Sequence, residues 1–194
     1  RAMQAPSRRL VQRHVEMRTF LSMLRARGID LRGKRILDAG CGSGYGLALV
    51  AEALAPTRLC GFDLMPEQIA LAQLRAVPGA SVRVGDITNI EEPDDSFDAV
   101  FVFGILHHVP EWRDALSEIA RVLAPGGVLL VEELHGRFVD FEDGVLGMAH
   151  PKDARFDWPT FRAGLGAAGL TILEERGLLF AAARSFLAQR PTAG

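Results

Sequence analysis

The strongest structural signal in this chain is KRILDAGCGSGYGLALV, which covers residues 34–50. It opens as a short apolar run, turns through Gly40, Gly42 and Gly44, and continues with apolar residues at helical spacing. Glycines between a strand and a helix let the backbone approach a ligand closely, and the N–H groups at the helix N-terminus then face that ligand. This stretch therefore predicts a ligand-binding turn between a first strand and its helix.

Two phosphate-binding motifs also use glycine-rich turns of this kind. The dinucleotide motif, if it begins at Gly40 and Gly42, needs a third glycine at position 45, where this chain has Tyr45. The P-loop ends in Gly-Lys followed by Ser or Thr, and no such ending follows here. Both phosphate-binding interpretations are therefore disfavoured.

Short apolar runs that end in a turn recur along the chain. Further strand candidates cover residues 58–64, 81–87, 97–104 and 126–133, and helical patterns cover residues 47–55, 66–76 and 112–124. Alternating strands and helices predict a parallel sheet with helices on both faces. After a helix over residues 160–168, two strand-like runs meet at Gly177 without room for a crossover helix, so they should pair antiparallel. We therefore predict an α/β fold with a seven-stranded, mostly parallel sheet whose last strand is antiparallel.

Length and composition fit a single domain over residues 1–194, with 48% hydrophobic residues to fill its core. Within it we expect an N-terminal helix over 7–28 that covers the ligand crevice, a binding core over 34–133, a substrate lid over 136–159, and a C-terminal helix with a β-hairpin over 160–190. The lid segment is the least patterned part and is long for a loop. No apolar run reaches the ~20 residues that cross a bilayer, and no signal-type segment is evident, so we expect a cytoplasmic protein without membrane contact.

Positive charge is concentrated near the start of the chain. Ten Lys and Arg residues lie within residues 1–35, against Glu16 and Asp30, although the net charge of the chain is −2. Basic ends can bind nucleic acid, anionic lipid or acidic substrates, but a solvated helix face is the interpretation that we favour. The two cysteines, Cys41 and Cys60, lie in apolar stretches, which favours buried thiols over a disulfide or a metal site.

The acidic residue Asp38, followed by Gly-x-Gly-x-Gly, resembles the first motif of the class I S-adenosylmethionine-dependent methyltransferase superfamily, in particular its small-molecule type (methyltransferase domain 11/25-like). Later stretches resemble further motifs of that superfamily in the same order: residues 61–63, 85–87, 96–108 and 123–127. The resemblance spans about residues 34–133, and the flanking segments match only in general character. It implies a Rossmann-like methyltransferase fold that binds S-adenosylmethionine and releases S-adenosylhomocysteine.

The resemblance places the adenosine part of the cofactor at the ends of the second and third strands. It implies that Asp63 accepts both ribose hydroxyls, as a carboxylate at this position does in dinucleotide sites. It also implies that Leu64 and Ile87 sandwich the adenine and that Asp86 takes its exocyclic amine. Either carboxylate could instead cap the helix or turn that follows it, since aspartate is favoured there without any ligand. The shared register of all the motifs favours the ligand role.

The resemblance places the methionine part of the cofactor at the ends of the first and fourth strands. The resemblance implies contacts from the glycine turn and backbone contacts after the fourth strand, with Asp38 reaching the ammonium group directly or through water. The residues implied are Asp38, Gly40, Cys41, Gly42, Gly44, Phe103 and Gly104.

Four side chains after the fourth and fifth strands are candidate bases for a hydroxyl acceptor. They are His107, His108, Glu133 and His135. A sulfonium is already an activated methyl donor, so alignment of the acceptor is the main need and proton removal is added only for some acceptors. Neighbouring residues point differently, so at most one of His107 and His108 should face the acceptor, and a hydrogen-bonded structural role is the alternative for each histidine.

A pair of acids resembles a magnesium site. Asp94 and Asp95 look like the metal-binding pair of the magnesium-dependent catechol methyltransferases, but they precede the fourth strand and so lie at the edge away from the crevice. We therefore expect a solvated turn there and no bound metal.

The predicted activity is S-adenosylmethionine-dependent methyl transfer to a small-molecule acceptor by direct displacement. An apolar or aromatic acceptor is suggested by side chains that could equally fill core space: Phe138, Phe141, Met148, Phe156 and Trp158. Two alternatives stay open, namely an RNA or protein methyltransferase that uses the basic N-terminal segment, and a non-catalytic S-adenosylmethionine-binding regulatory module. Nucleic acid is not an expected partner, and the sequence determines neither the acceptor nor the oligomeric state.

Overall fold

A single sheet forms the centre of the molecule. The computed structural model describes residues 15–146, 151–178 and 182–192. In these ranges the strands are β1 Arg35–Ala39, β2 Arg58–Asp63, β3 Ala80–Val84, β4 Phe97–Phe103, β5 Leu123–Leu134, β6 Thr171–Leu178 and β7 Ala183–Gln189. They lie in the order β3-β2-β1-β4-β5-β7-β6.

The strand directions confirm the predicted sheet. Neighbouring strands from β3 to β5 all pair parallel, whereas β7 runs antiparallel to both β5 and β6. Parallel strands need crossover helices, and the chain supplies them between β1 and β2, between β2 and β3, and between β4 and β5. The strand order reverses between β1 and β4, so the carboxyl ends of these two strands open onto a crevice of the kind that binds ligands in α/β sheets.

Helices cover both faces of the sheet. They are α1 Met17–Ala26, α2 Tyr45–Leu54, α3 Pro66–Arg75, α4 Trp112–Val122, α5 Gly136–Leu146 and α6 Trp158–Ala167, with short 3-10 turns at Leu106–His108 and Lys152–Ala154. The predicted start of α3 is confirmed, because Pro66 occupies its first turn, where a missing N–H costs nothing. The start of α6 is capped by Asp157, whose side chain accepts the Thr160 N–H at 2.8 Å.

Alternate residues of β4 pack into two separate core clusters. Val100 and Val102 point into the cluster that includes α4 and α6, and Phe101 points into the cluster that includes α1 and α2. This alternation follows from the two-residue period of a strand. Because both faces of β4 are buried, the strand reads as a continuous apolar run, which is typical of a central parallel strand.

The described part of the predicted N-terminal helix packs on the sheet. Phe20 of α1 has no exposed surface, and its ring lies 5.8 Å from the ring of Phe101 and 5.5 Å from that of Phe103. The apolar face of α1 thus covers the sheet near the carboxyl end of β4. The earlier part of that helix, residues 7–14, lies outside the described residues, so the expected covering of the crevice stays a prediction.

The segment expected to be an unpatterned lid contains regular structure. Helix α5 fills residues 136–146 and a 3-10 turn follows at Lys152–Ala154, while residues 147–150, including Met148, lie outside the described ranges. Phe156 and Trp158 are core residues, because the Phe156 ring stacks on Phe161 at 4.7 Å and both side chains are buried. Phe156 and Trp158 therefore fill core space, which was the alternative considered for them, and they give no support for an apolar or aromatic acceptor.

Candidate functional site

A cavity of about 380 Å³ opens at the carboxyl ends of β1, β2 and β4. This volume lies within the range typical of small-molecule sites. Six residues of the predicted set line the cavity: Gly40, Asp63, Leu64, Asp86, Ile87 and His108. The topology has therefore brought together residues that are far apart in sequence, as expected where parallel strands end at one edge.

The turn after β1 depends on glycine conformations. Gly40, Gly42 and Gly44 have φ values of +76°, +51° and +77°, in the left-handed region that other residues rarely adopt. The Gly40 N–H donates to the carbonyl of Phe62 at 2.9 Å, which ties the turn to the end of β2. A Cβ built on Gly42 would meet only Gln68, at 3.9 Å, so the turn leaves open space beside its backbone.

Asp63 fixes this turn and also faces the cavity. Its Oδ2 accepts the Gly42 N–H at 2.9 Å, and its Oδ1 accepts the Met65 N–H at 2.9 Å. A carboxylate has about four lone-pair sites, so each oxygen can accept a further hydrogen bond. The capping role and the ligand role considered for Asp63 are therefore compatible.

The predicted adenine contacts lie on the wall formed by the ends of β2 and β3. Asp86 is exposed, and its Oδ1 accepts both the N–H and the hydroxyl of Thr88 at 2.8 Å, as in an Asx turn. Ile87 is 6% exposed, whereas Leu64 is 68% exposed and has apolar surface available for a ligand. Both apolar side chains line the same cavity.

Asp38 is the most unusual carboxylate at this edge of the sheet. It has no exposed surface, and no residue in the described ranges gives its oxygens a hydrogen bond of good geometry. The pKa of Asp38 is raised to about 8, chiefly by burial and also by the charge of Asp63, while the nearby Leu47 backbone N–H opposes the rise. Because an unpartnered buried carboxylate is costly, a cationic group placed beside it would be stabilising.

At Cys41 and Phe103, the predicted contacts with the cofactor could involve only backbone atoms. The Cys41 side chain is 7% exposed and lies 3.1 Å from the position that a Cβ on Gly61 would take, so the thiol belongs to the core. Burial also raises the pKa of this thiol. Phe103 packs against Phe101, with ring centroids 6.0 Å apart, and the N–H of Gly104, which has a φ of +64°, donates to the Glu132 carbonyl at 2.9 Å.

The candidate bases have different surroundings. His107 is 4% exposed, with Nδ1 2.7 Å from Oε2 of Glu133, and Oε1 of that carboxylate accepts two backbone N–H groups. His135 contributes to the start of α5, where its Nδ1 accepts the Arg137 N–H at 3.1 Å. Only His108 of these histidines is among the residues that line the cavity.

The acidic pair before β4 is engaged in ion pairs. Asp94 lies 2.8 Å from Arg121, and Asp95 pairs with Arg190. Within the described ranges, no three metal-ligating side chains come together. In the same part of the chain, no helix is long and apolar enough to cross a bilayer.

Sequence reasoning missed the apolar wall that faces the glycine turn. Ile105, Val109 and Pro110 line the cavity together with His108, and Met65 lines it as well. Ile105 lies within the motif-like stretch 96–108, and Val109 and Pro110 directly follow it. Met65 lies two residues after the stretch 61–63, and this closeness to the motifs is the one signal that could have identified these residues. The contact between Ile105 and Gly40 could not be predicted from the sequence, because it depends on how two turns meet across the sheet.

The family described as a methyltransferase domain matches residues 37–131 of this chain. That span runs from β1 into β5 and contains every residue predicted to bind the cofactor. Beyond the family, a curated relative, the phthiotriol/phenolphthiotriol dimycocerosates methyltransferase of Mycobacterium leprae, is 39% identical over 107 residues, which are 55% of this chain and 40% of that protein.

Another curated relative matches over a longer stretch. The fatty-acid O-methyltransferase of Mycolicibacterium smegmatis is 32% identical over 156 residues, which are 80% of this chain and 50% of that protein. The chain therefore spans half or less of the length of these two relatives. Among solved structures, a SAM dependent methyltransferase from Aquifex aeolicus superposes with a TM-score of 0.77 over 97% of this chain and 95% of that chain, at 17% identity. This last similarity concerns the fold alone.

Proposed function

We propose, because the chain belongs to the class I S-adenosylmethionine-dependent methyltransferase superfamily, that it transfers a methyl group from S-adenosylmethionine to a small acceptor. The observation that carries the proposal is the buried Asp38 carboxylate beside the glycine turn, which a cationic ligand group would stabilise. S-adenosylmethionine carries such a group in the ammonium of its methionine part. The cavity, which Gly40 of the turn lines and Asp38 does not, has room for a small-molecule ligand.

The residues present fit this cofactor. For the adenosine part we assign Asp63 to the ribose hydroxyls, Leu64 and Ile87 to the two faces of the adenine, and Asp86 to its amine. For the methionine part we assign Asp38 to the ammonium group. The remaining contacts are proposed to come from the backbone at Gly40, Cys41, Gly42, Gly44, Phe103 and Gly104. The left-handed glycines support this assignment, because they leave backbone surface without side chains.

When bound, S-adenosylmethionine supplies a methyl group already activated on a sulfonium. The chain itself then has to align the acceptor and exclude water. We propose His108 as the group that removes a proton from an acceptor hydroxyl, because it lines the cavity. His107 and His135 are weaker candidates, because neither is among the residues that line the cavity.

We further propose that the acceptor is an apolar molecule of lipid type. The two curated relatives are named for methylation of a fatty acid and of phthiotriol dimycocerosates, and the chain matches about half or less of each. Exposed apolar side chains outside the adenine contacts support the same class of acceptor, since Met65 at the cavity and Phe141 on α5 are each 53% exposed.

The cofactor assignment can be tested by calorimetric titration with S-adenosylmethionine, S-adenosylhomocysteine and NADH. We expect the first two to bind and NADH not to bind. Asp63→Asn should weaken S-adenosylhomocysteine binding roughly tenfold or more, because the amide can no longer accept hydrogen bonds at both positions. The matched control is Asp94→Asn, which removes a surface carboxylate and should leave the affinity unchanged. Binding of NADH alone would refute the methyltransferase interpretation.

The acceptor can be tested with labelled methyl donor and a panel of fatty acids, long-chain alcohols and phenols. Transfer of label to a member of this panel would support an enzyme with an apolar acceptor. Cofactor binding without transfer to any acceptor would favour the alternative of a regulatory module. The cytoplasmic location and the absence of a nucleic-acid partner stay predictions from the sequence, and residues 1–14, which hold much of the basic segment, lie outside the described ranges.

A further inference from the structure

Beside the cavity, the hydrogen-bond ladder between β4 and β5 is continued by a side chain. The Gly104 N–H donates to the Glu132 carbonyl at 2.9 Å, where the chain leaves β4. The next two N–H groups, of Ile105 and Leu106, donate instead to Oε1 of Glu133 at 3.0 and 2.7 Å. These N–H groups begin a 3-10 turn and would otherwise lack an acceptor. The Glu133 carboxylate thus acts as a cap supplied by the neighbouring strand.

The other oxygen of this carboxylate contacts a histidine in the same turn. Oε2 of Glu133 lies 2.7 Å from Nδ1 of His107, and the two side chains are 0% and 5% exposed. A carboxylate only accepts hydrogen bonds, so the proton of the imidazole is held on Nδ1. One buried group therefore determines both the backbone path after β4 and the tautomer of His107.

The turn held by Glu133 forms part of the cavity wall. Ile105, His108 and Val109 line the cavity, and a Cβ built on Gly40 would overlap Cδ1 of Ile105. Ile105 of this wall therefore lies in direct contact with the glycine turn. We propose that Glu133 is a positioning residue, which fixes the turn from Ile105 to Val109 and thereby sets the affinity of the cavity for the cofactor. This inference rests on the proposed function, because it concerns the same cavity.

Glu133→Gln separates the two contacts of the carboxylate. The glutamine oxygen can still accept the N–H groups of Ile105 and Leu106, but its amide group donates toward His107, whose Nδ1 must then accept. We expect the proton of His107 to move to Nε2 and the Kd for S-adenosylhomocysteine to rise roughly three- to tenfold. Glu133→Ala leaves both backbone donors unpaired and should raise that Kd by roughly tenfold or more.

The tautomer of His107 can be measured by two-bond ¹H–¹⁵N spectra of protein labelled at histidine, and the Kd by calorimetry. Leu165→Ala is the matched control, because Leu165 is fully buried on α6 and is not among the residues that line the cavity. This control should lower the melting temperature at least as much as Glu133→Gln. Its Kd should stay within about twofold of the native value, and its His107 tautomer should not change, because loss of stability alone does not alter the turn.

A folded Glu133→Gln protein that keeps the His107 proton on Nδ1, or that keeps the native Kd, would overturn the inference. If this variant does not fold, hydrogen exchange of the native protein tests the inference instead. The backbone amides of Ile105 and Leu106 should then exchange as slowly as those of β4. Fast exchange of these two amides would equally overturn it. A native protein that binds no S-adenosylhomocysteine would refute the proposed function, whereas the tautomer measurement would still decide the role of Glu133.

Discussion

Asp38 couples the stability of the free protein to pH. Its pKa is raised from 3.8 to about 8, chiefly by burial, so the folded protein holds a proton that the unfolded chain releases near pH 4. The stability of the free protein should therefore fall as the pH rises from about 4 to about 8. Asp38→Asn removes this dependence. Since a change of one in pKa is worth about 1.4 kcal/mol, we expect the variant to be more stable than the native protein by roughly 3–6 kcal/mol at pH 9 and about equally stable at pH 4.

Urea unfolding at both pH values measures the difference in stability between the variant and the native protein. Asp98→Asn is a control for which the pH dependence of the stability difference should have the opposite sign. The pKa of Asp98 is lowered by its hydrogen bonds and ion pair with Arg35, so this carboxylate stabilises the protein above pH 4 and the contribution is lost on acidification. Asp38→Asn should also bind S-adenosylhomocysteine at least roughly tenfold more weakly, because it lacks the charge for the ammonium group. A stability difference that does not vary with pH would contradict the assigned pKa.

Gly40 is constrained in two ways, and a second glycine separates them. Gly40 and Gly79 have nearly the same φ, +76° and +74°, but a Cβ on Gly40 would overlap Ile105, whereas a Cβ on Gly79 would meet nothing within 4 Å. Gly79→Ala should therefore cost only the left-handed strain of about 1–2 kcal/mol. Gly40→Ala should cost about 2–4 kcal/mol, because overpacking against Ile105 is added.

These two variants also differ in their expected effect on ligand binding. Gly40→Ala should lose affinity for S-adenosylhomocysteine, because it displaces the cavity wall, while Gly79→Ala should bind as the native protein does. Thermal unfolding and calorimetry measure the two effects. Equal losses of stability in both variants would show that the turn has more room beside Ile105 than the structure indicates.

At the scale of elements, the sequence predicts what local patterns encode. The strands and α2, α3 and α4 were found because apolar runs of the right period are bounded by glycine and proline. Helix α5 was missed because its stretch, GRFVDFEDGVL, lacks a clear helical apolar pattern. Its support comes from the fully buried Val139 and from ion pairs that Asp140 and Asp143 make with Arg155, and these partners cannot be predicted from the segment itself.

The same distinction applies to the site. The predicted residues that line the cavity all lie at or after strand ends, where the parallel topology brings them to one edge of the sheet. The relation of His107 to Glu133 was not predicted, and both were considered as candidate bases. They lie 26 residues apart, and only the pairing of β4 with β5 brings them together. Motif recognition therefore selected residues that lie at or near the cavity, but it could not distinguish a group that faces the cavity from a group that supports its wall.

The contact between α4 and α6 depends on a glycine and gives a prediction for these elements. A Cβ on Gly164 would overlap the Trp112 ring, whereas a Cβ on Gly166, two residues later in the same helix, would meet nothing within 4 Å. We expect Gly164→Ala to destabilise the protein by about 1–3 kcal/mol through overpacking. Gly166→Ala should stabilise it by about 0.5–1 kcal/mol, since alanine is the better helix former.

Chemical denaturation of both variants measures this opposite pair of effects. Neither change should alter the Kd for S-adenosylhomocysteine, because α6 does not line the cavity. A stabilised Gly164→Ala protein would show that the two helices are less closely packed than the geometry implies.

At the scale of the whole molecule, binding residues and folding residues are distributed differently. The match to the methyltransferase domain ends at residue 131, and every residue assigned to the cofactor lies before that point. Strand β7 nevertheless covers the edge of β5, pairing with residues Val128–Leu134. Its Phe186 and Leu187 have no exposed surface and belong to the two different core clusters. Strand β7 therefore completes both layers of the core.

A chain that ends at Ala168 tests whether residues 34–133 can fold without β6 and β7. We expect it to lose cooperative unfolding and to bind hydrophobic dyes, because β5 becomes an unpaired edge and both core clusters lose side chains. Thermal unfolding followed by circular dichroism, together with calorimetric titration of S-adenosylhomocysteine, measures the outcome. The control is a chain that ends at Thr192, which keeps both strands and should unfold and bind as the full chain does. If the shorter chain unfolded cooperatively and bound the ligand, the residues that hold the cofactor would form a folding unit of their own, and β7 would be an addition to the core instead of part of it.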